Sequence, residues 1–494
     1  MLRRIAALAG SLALLLTGAG PARAQVAPGD LQPDDWAYRT LSTLRVRHGC
    51  ATPATEAAFN ARQSLSRNSA AALLDACLPR IRGPEPGVAV LLQQLSTELA
   101  TLGDVVEELE TTRFSTTTRL RGVATLVVGA NRFAGSDSAE VSSSREAFGS
   151  TTFNYDLKLI LDTSFTGSDL LRARLRAGNF DRVSNSFYGA GPSRLSALEP
   201  AFQEKTGPDI MAINRLYYLF PLGRGFSAGV GPRVGQLDLL ALDPGIYPAE
   251  TILDWFTLNG APAAYNFNLG AGAGLWWQSP GGFSVSTNYV AANAAKGDPG
   301  QGGLGTAAAA STGSVQLGYK AQQWAAAAIV SSFQNGGGVL DYATNFTLNS
   351  LSQPGSTLAL GLSGYWQPLQ SGWVPAISGG WGFNRSRYNP GVQRQGLVAN
   401  SQSWSVGLQW NDAFTTGNTL GMAVGQPTFA TALYGGAQPR DSSMAWEWWY
   451  RVQLNDNVAV TPALFLLNRP LGADTPPGQT FNQLGALLKT TIHF

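Results

Sequence analysis

Residues 153–162 read Phe153-Asn154-Tyr155-Asp156-Leu157-Lys158-Leu159-Ile160-Leu161-Asp162, and after Gly167-Ser168 the chain continues Leu170-Leu171-Arg172-Ala173-Arg174-Leu175-Arg176. In both stretches apolar and polar side chains alternate with the two-residue period of a strand, interrupted only by Ile160 in the first. That period sends Phe153, Tyr155, Leu157, Leu159 and Leu161 to one face and Asn154, Asp156, Lys158 and Asp162 to the other. It likewise separates Leu171, Ala173, Leu175 and Ala177 from Arg172, Arg174 and Arg176. Strands with one greasy and one charged face suit a wall between lipid and water, but a soluble sandwich alternates in the same way, so the rest of the chain must decide.

Outward from this hairpin the pattern repeats. Between Arg119 and Phe494 roughly 16 such segments can be drawn, an even number, from 119–130 to 483–494. In a late one, Trp446, Trp448, Tyr450, Val452 and Leu454 share one face, while Glu447, Arg451 and Gln453 share the other with Trp449. Short connections at Gly167-Ser168, Pro221 to Gly225, Ser279 to Gly282, Gln367 to Gly372 and Asn455-Asp456-Asn457 each fall between two long ones. A barrel with turns at one rim and loops at the other has this asymmetry. An open edge in lipid would strand backbone N–H and C=O groups, so such a sheet must close. The expected fold is an all-β transmembrane barrel of about 16 antiparallel strands, with a small N-terminal helical domain and a coiled-coil helix.

Composition agrees with this reading. Charged residues make up 13% of the chain, beside 57 Gly and 13 Trp; this charged share is about half the usual one and suits a wall with a lipid face. A net charge of +2 gives no argument for nucleic acid. The two histidines, His48 and His493, lie in the N-terminal region and at the penultimate position. No enzyme chemistry, cofactor or metal site is expected. A gated transporter with a plug would need about 22 strands, more than this length supplies.

Met1-Leu2-Arg3-Arg4, the apolar run Ile5 to Leu16, and Ala22-Arg23-Ala24 make a signal peptide over 1–24. An apolar run of about 12 residues is too short to cross a bilayer as a helix. Residues 25–82 read as a small helical domain: Trp36, Tyr38, Leu41 and Leu44 recur at helical spacing, and Ala70 to Leu78 makes a second apolar helix. Cys50 and Cys77 both fall within it, and export to an oxidising compartment predicts a disulfide between them. A Gly83-Pro84-Glu85-Pro86-Gly87 linker (83–87) leads into 88–114. There Val88, Leu95, Leu102 and Leu109 hold one heptad position and Leu92, Leu99 and Val106 the other, the spacing of a coiled coil. So short a stalk is expected to form where barrels already hold three copies together, as in a homotrimer, the alternative being a single amphipathic helix lying on its own barrel.

Pro33-Asp34-Asp35-Trp36-Ala37-Tyr38, Gly49-Cys50, Phe59, Leu65-Ser66-Arg67 and Leu74-Asp75-Ala76-Cys77-Leu78 resemble a single surface-layer-homology domain, a module that binds cell-wall polysaccharide. The resemblance implies that Arg67 holds an anionic group of the wall polymer and that Trp36 packs the domain or the sugar. The final strand, with Leu484, Ala486, Leu488, Thr490, Ile492 and Phe494 on one face, resembles the terminal signature that bacterial outer-membrane assembly machinery reads. The order of wall-binding domain, helix ending in Phe114-Ser115-Thr116-Thr117-Thr118, and barrel over 119–494 resembles the cyanobacterial outer-membrane porins. The barrel of that family belongs with the carbohydrate-selective porins. The resemblance implies passive diffusion of small hydrophilic solutes or inorganic ions, outer-membrane lipid around the barrel, and a periplasmic N-terminal domain on peptidoglycan or a linked polysaccharide.

In a channel of this kind, charged side chains on the wet face set selectivity. Arg172, Arg174 and Arg176, with Lys158, are expected to line the lumen and favour anions. The alternative is that the arginines pair with Asp156 and Asp162 across the hairpin and stiffen the wall. The connection from Gln236 to Ala263 is too apolar for a solvated loop, and its only charges are Asp238, Asp243, Glu250 and Asp254. Pro248 can start a short helix through Phe256. As the third outer loop, this connection is expected to fold inward and set an acidic face opposite the arginines; the alternative is a lid on a neighbouring barrel. A second reading of the whole chain is a structural tether between outer membrane and peptidoglycan, with the pore incidental. Nothing in these residues picks out sugar, inorganic anion or iron species.

Overall fold

The computed structural model describes residues 31, 35–50, 65–81, 85, 87–96, 98–99, 117–247, 252–336, 342–369 and 372–494. The signal-peptide segment 1–24, Phe59, Leu102, Val106, Leu109, Pro248 and Glu250 lie outside the described residues. The chain divides into two units, one up to Thr116 and one from Thr117 to Phe494.

In the N-terminal unit, helix α1 (Trp36–His48) buries Ala37, Tyr38, Leu41 and Leu44, a stripe at helical spacing, and stops at Gly49, whose φ of 59° is the left-handed conformation that closes helices. Helix α2 (Arg67–Cys77) starts at Ser66, whose side chain accepts the Ser69 amide, and buries Ala70, Ala71, Leu73, Leu74 and Cys77 against α1. Leu31 and Leu65 exchange both backbone hydrogen bonds at 2.9 Å. Cys50 and Cys77 are joined by a disulfide across a separation of 27 residues. Closing a loop of that length is worth roughly 3 kcal/mol on a chain-entropy argument.

Helix α3 (Val88–Gln94) uses its apolar face differently from the heptad expectation. Leu91 and Leu95 are buried in this unit's own core, with Val88 and Leu99 packed at its edge, while Leu92 is exposed. The described part of the 88–114 segment therefore closes a small domain that α1 and α2 leave open, and no stalk is seen among the described residues.

The larger unit is a closed sixteen-stranded barrel in which every strand pairs with its sequence neighbours and β1 with β16. Its strands are β1 (Thr118–Ala134), β2 (Thr152–Thr163), β3 (Leu170–Gly178), β4 (Ala212–Gly223), β5 (Phe226–Gly235), β6 (Leu269–Gln278), β7 (Phe283–Ala291) and β8 (Ser311–Lys320). They continue as β9 (Trp324–Gln334), β10 (Gly355–Trp366), β11 (Ala376–Tyr388), β12 (Val398–Asn411), β13 (Thr419–Leu433), β14 (Met444–Asn455), β15 (Val458–Asn468) and β16 (Asn482–His493). Connections 164–169, 224–225, 279–282, 321–323 and 456–457 are tight, and those at 179–211, 236–268, 292–310 and 335–354 are long, so turns and loops occupy opposite rims.

Register fixes which face points in. Val127 lies opposite Lys489 on one side and Asn154 on the other, and all three are buried, whereas Val128, Phe153 and Leu488 are exposed on the outside. Followed round the ring, this parity puts Leu358, Leu362, Trp448 and Leu464 outward and Ser363, Ser403, Glu447 and Phe465 inward. Ring contacts near the turn rim, such as Tyr218 on Phe220, Phe226 on Trp277, and Tyr319 between Phe283 and Trp324, form an aromatic band on the outer face.

The barrel interior is partly filled from the loop rim. Phe180 and Phe187 of the 179–211 connection, Trp255, Phe256 and Leu258 of 236–268, and Tyr342 of 335–354 share one buried cluster with inward-facing Ala359, Ala423 and Phe465. Small residues on β10 to β13 leave the room. A Cβ at Gly380 would stand 1.9 Å from the Asn259 carbonyl oxygen, and one at Gly407 would stand 2.5 Å from the Tyr247 ring. The loop expected to fold inward does so, but its helical turns among the described residues are Leu237–Leu239 and Asp254–Leu258, the second running past Phe256.

Candidate pore constriction

Strands β2 and β3 pair with Lys158 opposite Arg176, Ile160 opposite Arg174 and Asp162 opposite Arg172, so the three arginines and Lys158 line the inner face. Arg172 grips Asp162 with both ends of its fork, Nε to Oδ1 at 2.6 Å and Nη2 to Oδ2 at 2.7 Å. Arg176 holds Asp156 in the same two-pronged way, with Nη2 to Oδ2 at 3.1 Å. Lys158 Nζ sits 3.3 Å from Asp156 and 3.3 Å from Glu199, which the 179–211 connection lowers into the barrel. Pairing across the hairpin, weighed above as the alternative to selectivity, is thus present for two of the three arginines. Arg174 differs: its Nε donates to Asn214 Oδ1 at 2.8 Å, and no carboxylate partner is found for it among the described residues.

Two groups escaped the sequence reading because β4 breaks its alternation. A bulge sets Asn214 and Arg215 together opposite Arg174, so both consecutive residues turn inward. Arg215 then reaches Asp238 of the third long connection, Nε to Oδ2 at 2.8 Å, and Asn214 Oδ1 sits between two guanidinium groups. Glu199 was missed for another reason: it comes from an irregular loop with no periodic signal.

The acidic loop faces the basic strands at two of its predicted positions. Asp238 pairs with Arg215, and Asp254 lies within electrostatic reach of Arg176 and Lys158, while Tyr342 donates its hydroxyl hydrogen to the Asp254 carboxylate. Asp243 does not join them. It accepts from Asn259 Nδ2 at 3.0 Å and from the Gly245 amide at 3.1 Å, and it faces a separate cavity of about 640 Å³ shared with Lys320, Gln278 and Tyr365.

What holds this loop across the interior is a polar clamp on the far wall. Inward-facing Glu447 of β14 accepts the Tyr247 hydroxyl at 2.8 Å and the Leu253 amide at 2.7 Å, and Trp449 Nε1 donates to the same Tyr247 oxygen at 2.7 Å. Ser378 Oγ accepts the amides of Ile246 and Tyr247, both at 2.9 Å, and Ser403 donates to the Gly260 carbonyl at 2.9 Å. The buried backbone groups of an irregular segment are thereby satisfied by wall side chains.

In the N-terminal unit Arg67 is already engaged. Its guanidinium bonds the Glu98 carboxylate, with Nη2 to Oε2 at 3.1 Å, and also the Gln94 carbonyl. That hydrogen bond holds the Glu98 carboxyl below its ordinary range. Trp36 is half exposed and lies against Gly87.

No family model matches the chain. An uncharacterized protein of Nostoc sp. is 27% identical over 97% of this chain and 87% of its own length, and one of Synechocystis sp. is 27% identical over 89% and 86%. Among solved structures, Pseudomonas putida OprB aligns with a TM-score of 0.49 at 13% identity, covering 80% of this chain and 97% of that one. An anion-selective porin from Comamonas acidovorans aligns with a TM-score of 0.46 at 12% identity, covering 76% and 99%.

Proposed function

We propose that the chain is an outer-membrane porin, passing small hydrophilic solutes or inorganic ions by diffusion and attached to the cell wall by its N-terminal unit. The observation that carries the pore is the charge arrangement inside a closed barrel. Arginines and Lys158 of β2 to β4 line the inner wall, and Asp238 and Glu199 enter from two loops to pair directly with Arg215 and Lys158, with Asp254 in electrostatic reach of Arg176 and Lys158. Outside, the strands present Leu, Val, Ala and aromatic residues. Charged side chains on a wet inner face set the field that ions meet, and Arg174, which bonds a neutral amide and no carboxylate among the described residues, tilts it toward anions. Arg172, Arg174, Arg176, Lys158, Asp238, Asp243, Glu250 and Asp254 remain the proposed selectivity residues, and the assembly is proposed to be a trimer.

The fully buried Trp255 and its neighbours favour a second reading, in which the interior is largely structural and the chain is chiefly a tether between membrane and wall. Trp36 and Arg67 are then the proposed wall contacts. Pull-down of the full chain and of a form lacking residues 25–87 on purified wall polymer tests the tether. Loss of binding in the shortened form supports it, and equal binding rejects it.

A further inference from the structure

At the turn rim, Trp373, Trp410, Asp412 and Phe414 line a cavity of about 500 Å³ on the outside of the barrel. Trp410, paired with Leu420, belongs to the outward parity of β12 and β13. Its Nε1 donates to the Trp373 carbonyl at 2.9 Å, which ties Trp373 to the wall. Phe414 packs edge-on against Tyr450, with ring centroids 5.8 Å apart. Asp412 is the charged residue among the described lining residues; its Oδ1 accepts the Gly417 amide at 2.8 Å. Trp373 is 94% exposed and Phe414 83% exposed, a large apolar surface to leave in water.

We infer that this cavity binds the ammonium headgroup of a phospholipid in the leaflet at the turn rim, of the phosphatidylethanolamine type. Aromatic faces carry negative electrostatic potential and attract ammonium groups, most strongly where water is excluded. A carboxylate in the same wall adds to that attraction and disfavours an anionic headgroup. The rim location supplies the lipid: the cavity continues the outer aromatic band, which marks headgroup level in a spanning barrel. Trp373 then meets the ammonium, and Phe414 the glycerol and upper acyl region, instead of water. The inference rests on the barrel lying in a membrane.

The full chain in detergent is titrated with phosphatidylethanolamine or phosphatidylglycerol of identical acyl chains, and retained lipid is read by native mass spectrometry. Phosphatidylethanolamine should be retained about tenfold better. Trp373→Ala and Asp412→Asn should each abolish the preference while the barrel keeps its heat-modifiable gel mobility. Equal retention of the two lipids overturns the inference, as does displacement by free ethanolamine at matched concentration, which would make a soluble amine the occupant. Failure of the protein to float with vesicles overturns the membrane reading itself, a result distinct from flotation without headgroup preference.

Discussion

At the scale of single residues, charge count and charge effect separate in this barrel. Arg172, Arg174 and Arg176 each carry one positive charge on the same face, but two are held in forked pairs and one leans on a neutral amide. Removing Arg176 leaves Asp156, fully buried, with Lys158 as its one ion-pair partner among the described residues; breaking a buried pair of this kind costs about 3 kcal/mol. Removing Arg174 breaks one hydrogen bond and leaves no carboxylate behind. Arg174→Gln is therefore expected to shift the reversal potential in a salt gradient toward cations at unchanged thermal stability. Arg176→Gln should lower the melting midpoint. Equal shifts and equal midpoints for the two variants would contradict this division. The inward face of these residues was legible because period two is the strand's own geometry. Their partners were half legible: Asp156 and Asp162 sit across a short hairpin, whereas Asn214 depends on a bulge that reverses parity at one position.

At the scale of elements, the third long connection shows what alternation cannot report. Its apolar content announced burial, and its placement as the third loop suggested the interior. The surface that receives it is spread over β10 to β14 as isolated Gly, Ser and Glu residues, each an ordinary strand residue when read alone. Glu447 meets Leu253 and Tyr247 nearly two hundred positions away in sequence, a distance over which periodicity carries no information. The close approach at Gly380 gives a direct test. Gly380→Val puts a branched side chain where the Asn259 carbonyl now lies, so the loop must lift from the wall. Single-channel conductance should rise while the barrel stays folded; an unchanged conductance would mean that this loop does not set the narrowest section. Helix α3 teaches a similar lesson. Val88, Leu92, Leu95 and Leu99 fit a heptad, yet Leu91, off that pattern, is buried beside Leu95 while Leu92 is exposed, because the helix completes a local core first.

At the scale of the whole molecule, the chain's even number of alternating segments and its alternation of short and long connections pointed to closure before any contact was known, since a sheet read as spanning lipid leaves neither outer strand unpaired. Antiparallel pairing of β1 with β16 completes the ring and sets Phe494 beside Gly122 at the turn rim, where each backbone amide donates to the other residue's carbonyl. The degree to which loops fill the interior was not legible, and it decides between a working pore and a wall anchor that happens to be a cylinder. Planar-bilayer recording of the purified full chain answers this most directly. The account predicts discrete conductance steps with a reversal potential on the anion side in a salt gradient, whereas bilayers that take up the protein yet show no steps would contradict it.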